Sequence, residues 1–171
     1  LRYLRRLKKI DTLQLVYSGV EEDSIRQSAE VMVLAEQQEM DVRKIDIRKR
    51  SDLIQLNTIK TNDAVFLTGS SLVHLWLREI MSVVREEMVP SADIFPDVTE
   101  KGVLMTLYQP AHEQGKMAAE MAVRILNGEE AASIPSYIFR DTELVFNLNE
   151  AQEININFPI QLIIEATKVI K

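Results

Sequence analysis

Four short segments hold the residue types from which this chain of 171 residues could build a site: Ser18-Gly19-Val20, Thr68-Gly69-Ser70-Ser71, Phe95-Pro96-Asp97 and Tyr108-Gln109-Pro110. The second is the most suggestive. A glycine and two serines run directly into an apolar-periodic stretch, so hydroxyls and backbone N–H groups at a helix start could receive a carboxylate or another anion. The same spacing also suits a serine that merely caps its helix and a glycine that merely turns the chain, and both readings stay open. Tyr17, Phe95 and Tyr108 offer rings that stack on a flat ligand or pack as core and rim. The candidate ligand-binding residues are therefore Ser18, Thr68, Gly69, Ser70, Ser71, Asp97 and Tyr108. In this set hydroxyls and N–H groups fix polar ends of a ligand and the tyrosine stacks or donates.

Reactive constellations are missing from the sequence. There are no cysteines, so disulfides, thiolate metal sites and cysteine nucleophiles do not arise. His74 and His112 have no partner motif that would make a metal site or a catalytic triad, and both read as surface histidines. No GxGxxG follows a strand and no GxxxxGK(S/T) is present, so nucleotide cofactors are unsupported. The ends of the first and third predicted strands carry Tyr17-Ser18 and Leu67-Thr68, where a phosphoacceptor domain needs acids. Glu21-Glu22 and Glu86-Glu87 are adjacent pairs whose side chains diverge on a helix, and they read as solvated surface. The expectation is binding rather than catalysis, with no cofactor and no metal.

These residues need a scaffold, and the composition supplies one. The chain is 46% hydrophobic and 27% charged with a net charge of −6, enough for one domain with a substantial core. That charge argues against a nucleic-acid partner. The basic opening, Arg2, Arg5, Arg6, Lys8 and Lys9, reads as a solvated helix face. No apolar run approaches the roughly 18 residues of a membrane span. Opening at Leu1 rather than at a methionine, the sequence reads as a piece or a processed form of a longer protein.

Periodicity predicts helix over 1–9, strand over 12–17 and helix over 21–40, with Ile25, Ala29, Met32 and Val33 facing inward. A strand over 42–47 and a short helix capped by Ser51 or Asp52 follow. The all-apolar run Ala64-Val65-Phe66-Leu67 suits a central strand covered on both faces. After the loop 68–71, a helix carries Leu72, Leu75, Trp76, Ile80, Val83 and Val84. Strands over 89–95 and 103–107 and a helix over 110–126 come next. Strand–helix alternation with short connections makes the class α/β: an open, mostly parallel sheet with helices on both faces. Such sheets bind ligands beyond the carboxyl ends of their strands, where strand order reverses. That rule selects the four segments above.

The last third, from Val103 to Lys171, adds a resemblance. Its strand, its alanine-rich helix ending at Asn127-Gly128, Glu143-Leu144-Val145-Phe146-Asn147-Leu148 and the Asn157-Phe158-Pro159 break before a final helix ending in Val169-Ile170 resemble the closing segment of the ABC-transporter substrate-binding proteins. These are periplasmic-binding-protein-like domains of type I, whose known members bind aromatic amino acids. Leu4 to Tyr17, Asp63 to Leu67 and Glu100 to Leu104 extend the likeness to the whole chain, but only to the second half of a family member.

The resemblance implies a single α/β lobe over 1–171 that binds a small, amino-acid-like molecule for an ABC transporter permease. The protein would be periplasmic or extracytoplasmic, with a lipid anchor as one option. It also implies that the helix over 110–126 belongs against the absent first lobe or a partner subunit. Its side Ala111, Ala118, Ala122 and Ile125 is then expected to find cover by homodimerisation or by folding back on the sheet. A sensory domain of a membrane-bound signalling protein is the alternative use of the same fold. Two departures, Thr68-Gly69-Ser70-Ser71 in place of an acid or amide near a threonine and Tyr108-Gln109 in place of Tyr-Gly, keep the family's ligand from being carried over.

Overall fold

The computed structural model describes residues 1–137 and 141–171. In chain order, α1 (Arg2–Leu7) leads into β1 (Thr12–Tyr17), α2 (Glu22–Glu36) and β2 (Asp41–Asp46). A 3₁₀ helix (Arg50–Thr58) and β3 (Ala64–Leu67) follow, then α3 (Ser71–Leu75), α4 (Leu77–Glu86) and β4 (Ser91–Asp93). A second 3₁₀ helix (Pro96–Lys101) precedes β5 (Met105–Tyr108) and α5 (Ala111–Leu126). After a 3₁₀ turn (Ala131–Ser133) the chain closes with β6 (Glu143–Asn147), α6 (Leu148–Glu153), α7 (Ile160–Glu165) and β7 (Lys168–Ile170).

The described strands form one sheet in the order β2-β1-β3-β4-β5-β6-β7. Every neighbouring pair is parallel except β5 and β6, which run antiparallel with Tyr108 opposite Glu143. From β1 the chain crosses outward to β2 and then back past β1 to β3, so strand order reverses between β1 and β3. A crevice therefore opens at the carboxyl ends of those two strands.

Alternation along β1 sends its side chains to two cores. Val16 joins Ile45, Leu67, Val73, Ile80 and Val84 under the 3₁₀ helix Arg50–Thr58, α3 and α4. Leu13 and Leu15 join Leu4, Val31, Ala35, Phe146 and Leu162 under α1, α2 and α7. A smaller group, Leu104, Ala151, Ile154 and Ile156, lies beneath α6. The mostly parallel α/β sheet covered on both faces is as the sequence predicts.

Local differences have physical causes. The buried stripe of α2 is Ser24, Ser28, Val31 and Ala35, while Ile25, Met32 and Val33 are exposed. Small side chains bring this helix close to the sheet; the Ser28 hydroxyl donates to the Ile25 carbonyl in its own helix, and the Ser24 hydroxyl pairs with Thr68 at the end of β3. The helix after loop 68–71 breaks at Trp76, whose φ of −106° and ψ of 18° end α3 and start α4. The break turns Leu75 outward and brings Leu77 and Met81 into the core. Asp52, not Ser51, serves the short helix: its carboxylate accepts from the Arg48 and Lys49 N–H groups at 3.0 Å each. The final helix ends at Glu165, and Lys168-Val169-Ile170 pairs with β6 as a strand. β-branched residues beside an open sheet edge favour the ladder over a further helical turn.

The excursion between β5 and β6 stands apart. No residue of α5 is buried, so the helix does not fold back on the sheet, and Val123, Ile125 and Leu126 are exposed.

Candidate functional site

The reversal between β1 and β3 places Ser18 beside Thr68, and α2 bridges them. The Ser18 N–H donates to Ser24 Oγ at 2.8 Å, and Ser24 Oγ and Thr68 Oγ1 share a hydrogen bond of 2.7 Å. Both Ser18 and Thr68 are fully buried, so they lie beneath the crevice surface. Among the described residues the Ser18 hydroxyl has no hydrogen-bond partner there. Gly19 follows in a tight fit. Its N–H donates to Asp46 Oδ1 at 2.7 Å, and a Cβ at that position would lie 2.5 Å from Asp46 Oδ2.

Loop 68–71 forms the crevice wall. Ser70 is the N-cap of α3, accepting from the Val73 N–H at 3.0 Å. Glu21, immediately before α2, reaches across to the same helix end. Its carboxylate accepts from the Ser70 hydroxyl and, at 3.1 Å, from the Ser71 N–H. The expectation that Glu21 is solvated surface is thus corrected: it occupies the position where an incoming anion would bind. Its neighbour Glu22 does sit on the surface, paired with Arg26 at 3.2 Å. The Gly69 N–H donates to Gln27 Oε1 at 2.6 Å. The absent side chain at Gly69 leaves room for Ile94 and Phe95, which a Cβ would approach to 2.9 and 3.2 Å.

His74 also departs from the surface reading. Its Nε2 lies 2.7 Å from Asp93 Oδ2, and Asp93 is buried at the end of β4. The other oxygen, Oδ1, accepts from the Ile94 and Phe95 N–H groups at 2.6 and 2.9 Å. Burial pushes the Asp93 carboxyl above the ordinary carboxylate range, against the pull of His74. Asp93 is nineteen residues from His74 in sequence, so only the sheet order brings them together. The His74 and Phe95 rings lie 5.1 Å apart, which sets Phe95 at the crevice rim.

Tyr108 and Asp97 complete the predicted set. Tyr108 Oη donates to Glu143 Oε2 at 2.5 Å, and this hydrogen bond, with burial, pushes the phenol up to about 12. Asp97 is exposed and pairs with Lys101 at 3.1 Å, which holds its carboxyl below the usual range. A cavity of about 620 Å³ joins the Phe95 and Tyr108 walls to Gln27, Glu30 and the start of α5 through Gln114. Gly69, bonded to Gln27 and touching Phe95, ties this cavity to the crevice. Sequence reasoning missed Glu21, Gln27, Glu30 and His74. Glu21, Gln27 and His74 bond across the fold and Glu30 lines the cavity, and no local spacing signals such placements.

An open α/β sheet with a polar crevice at its switch point, beside an uncovered excursion at the same rim, is one lobe of a substrate-binding-protein fold. Residues 5–170 match the family described as ABC transporter substrate binding protein, and the chain belongs to it.

Solved structures agree. The chain is similar to an ABC domain in complex with L-Trp from Streptococcus pneumonia, at 22% identity and a TM-score of 0.85, over 99% of this chain and 58% of that one. It is similar to a conserved domain protein from Vibrio cholerae at 16% identity and a TM-score of 0.85, over 98% and 58%. It is also similar to the ligand-free, open structure of a substrate-binding protein with adhesive properties from Clostridium difficile, at 20% identity and a TM-score of 0.78, over 99% and 56%. The chain therefore spans less than two thirds of the length of each. No curated protein matches it. No helix among the described residues is long and apolar enough to cross a membrane.

Proposed function

We propose that this chain is one wall of a two-lobe site that captures a small, amino-acid-like solute outside the cytoplasm and presents it to an ABC transporter permease. The observation that carries the reading is the crevice at the reversal between β1 and β3, in a chain of the substrate-binding family that spans about 58% of a solved relative. Ser71, Gly69 and Tyr108 stand at its surface. Ser18, Thr68 and Ser70 hold the loops that present them, and Asp97 stands at the outer rim. The protein does no covalent chemistry. Closure of two lobes around the solute shifts a population from open to closed, and the closed form is what the permease reads. Delivery of this kind calls for a periplasmic or extracytoplasmic protein, free or lipid-anchored.

Thermal-shift screening of the full-length protein against amino acids, small acids and sugars tests this, because ligand bound only to the native state raises apparent stability by mass action. A clear rise is expected for the two-lobe protein, with little or none for these 171 residues alone. An equal rise in both would show that one lobe holds the whole site. No rise for any solute would remove the reading.

A further inference from the structure

The apolar stripe that periodicity assigns to the inner side of α2 lies on its outer side, with Met32 42% and Val33 54% exposed. With Met40 and Val42, where the chain enters the edge strand β2, they form the apolar lining of a groove of about 740 Å³. Three carboxylates, Glu36, Glu39 and Asp41, line the same groove. Among the described residues none of the three is held in an ion pair. Glu39 keeps its carboxylate there at a φ of 53°, a left-handed conformation that helix ends ordinarily fill with glycine. Basic side chains on the flanking elements are engaged elsewhere. Arg5 donates to the Gln38 carbonyl at 2.7 Å, Arg26 pairs with Glu22 at 3.2 Å, and the Lys44 ammonium lies 4.2 Å from the centre of the Tyr17 ring.

The groove is remote from the crevice. Glu21 and Asp46, which bond to the crevice loops, mark the near ends of α2 and β2, while Glu36 and Asp41 mark the far ends. At ~1.5 Å per helical residue, Glu36 stands about 22 Å along the helix from Glu21. A lobe that closes on the strand ends therefore leaves the groove open. A second copy fits it poorly. The basic segment of this chain, α1, has already turned Leu4 and Leu7 into its own core, and an isologous contact would set the three acids against themselves.

We propose that the groove docks a cationic amphipathic helix of another protein. Its apolar side chains enter between Met32, Val33, Met40 and Val42, and its lysines or arginines meet Glu36, Glu39 and Asp41. Unbranched methionines let such a lining fit varied side chains. An apolar floor with a charged rim reads a helix through anchors at i, i+3, i+4 and i+7. Docking there does not compete with a solute in the crevice, and it does not depend on the solute reading above.

The test uses the full-length two-lobe protein and a fluorescent leucine–lysine peptide about 18 residues long, with leucines at those spacings. A scrambled peptide of the same composition and a twin with glutamate for lysine are the controls. Fluorescence anisotropy at physiological salt is expected to show the amphipathic cationic peptide bound about tenfold more tightly than either control. Val33→Glu should weaken it about tenfold. Glu36→Gln, Glu39→Gln and Asp41→Asn together should do about as much, at roughly twofold for each exposed ion pair. Solute-induced thermal shifts should be the same in these variants as in the wild type. Binding no tighter than that of the scrambled peptide, or indifferent to both sets of substitutions, overturns the proposal. So does a dimer in light scattering that Val33→Glu disperses, which would make a second copy the occupant. A solute shift lost in either variant would join the groove to the crevice and overturn it too. Silence of every solute, with the peptide bound as expected, overturns the solute reading and leaves this one standing.

Discussion

His74 and Asp93 give the crevice a pH dependence that can be measured. Burial raises the Asp93 carboxyl in the folded protein, so the folded state holds its proton more tightly than the unfolded chain does. Stability from this group is therefore fully present below the ordinary carboxylate pKa and is lost as pH rises through the elevated folded value. Asp93→Asn keeps an oxygen for the Ile94 and Phe95 N–H groups and removes the titration. The melting temperature of the wild type should fall relative to that of Asp93→Asn as pH rises from the acid side. Parallel profiles would show that Asp93 does not titrate in this way.

Tyr108 has a similar sign at the other end of the scale. Its phenol is raised to about 12 by Glu143, so its contribution is intact below the unfolded value near 10 and fades as pH passes about 12. Glu143→Gln should bring the Tyr108 ionisation back toward the ordinary range, as followed by ultraviolet absorbance titration. Neither pair is legible from spacing, because His74 and Asp93 come from different strand–helix units, and Tyr108 and Glu143 are separated by the whole excursion.

Among the elements, β1 and β3 were legible to the residue because each is a short, mostly apolar stretch that ends at a polar, glycine-containing turn, Ser18-Gly19 and Thr68-Gly69. The inward face of α2 was hidden because hydrophobicity points to Ile25, Met32 and Val33, whereas close packing selects Ser24 and Ser28. β7 was hidden because its pairing depends on a strand twenty-three positions back, through the Thr167 hydroxyl and the Leu144 N–H at 3.1 Å.

Asn147 shows how one side chain fixes two elements. Its Oδ1 caps α6 by accepting from the Glu150 N–H at 3.0 Å, and its Nδ2 donates to the Thr99 carbonyl at 2.7 Å. Asn147→Ala should cost about 1–3 kcal/mol in denaturant unfolding, since a lost cap and a lost buried hydrogen bond to the Thr99 carbonyl both count. A change within a few tenths of a kcal/mol would mean that α6 is held by packing alone. Glu150 supports the same corner through Arg85, with contacts of 2.6 to 3.0 Å.

For the molecule as a whole, the two cores and the excursion are separable in energetic terms. Tyr108 and Glu143 are register partners, so replacing residues 109–142 with a short glycine-containing turn should leave a folded sheet that unfolds cooperatively, its far-ultraviolet circular dichroism reduced only by the helical signal of α5. Loss of folding would show that α5 shields the core after all. In the intact lobe the exposed Val123, Ile125 and Leu126 are a liability without cover. We expect concentration-dependent self-association of the isolated lobe in light scattering, abolished by Val123→Glu. A monomer at every concentration would remove that expectation.

The pairing of Tyr108 with Glu143 has a mechanical consequence. The excursion leaves and rejoins the sheet at one pair of strand ends, so a change of angle there would swing α5 as a lever. Its sixteen residues make it about 24 Å long at ~1.5 Å per residue. A tilt of about 10° at the fulcrum would carry the far end about 4 Å, roughly the width of a side chain. Small angular changes beside the cavity would thus become large displacements at a distance, with the Tyr108–Glu143 hydrogen bond at the pivot.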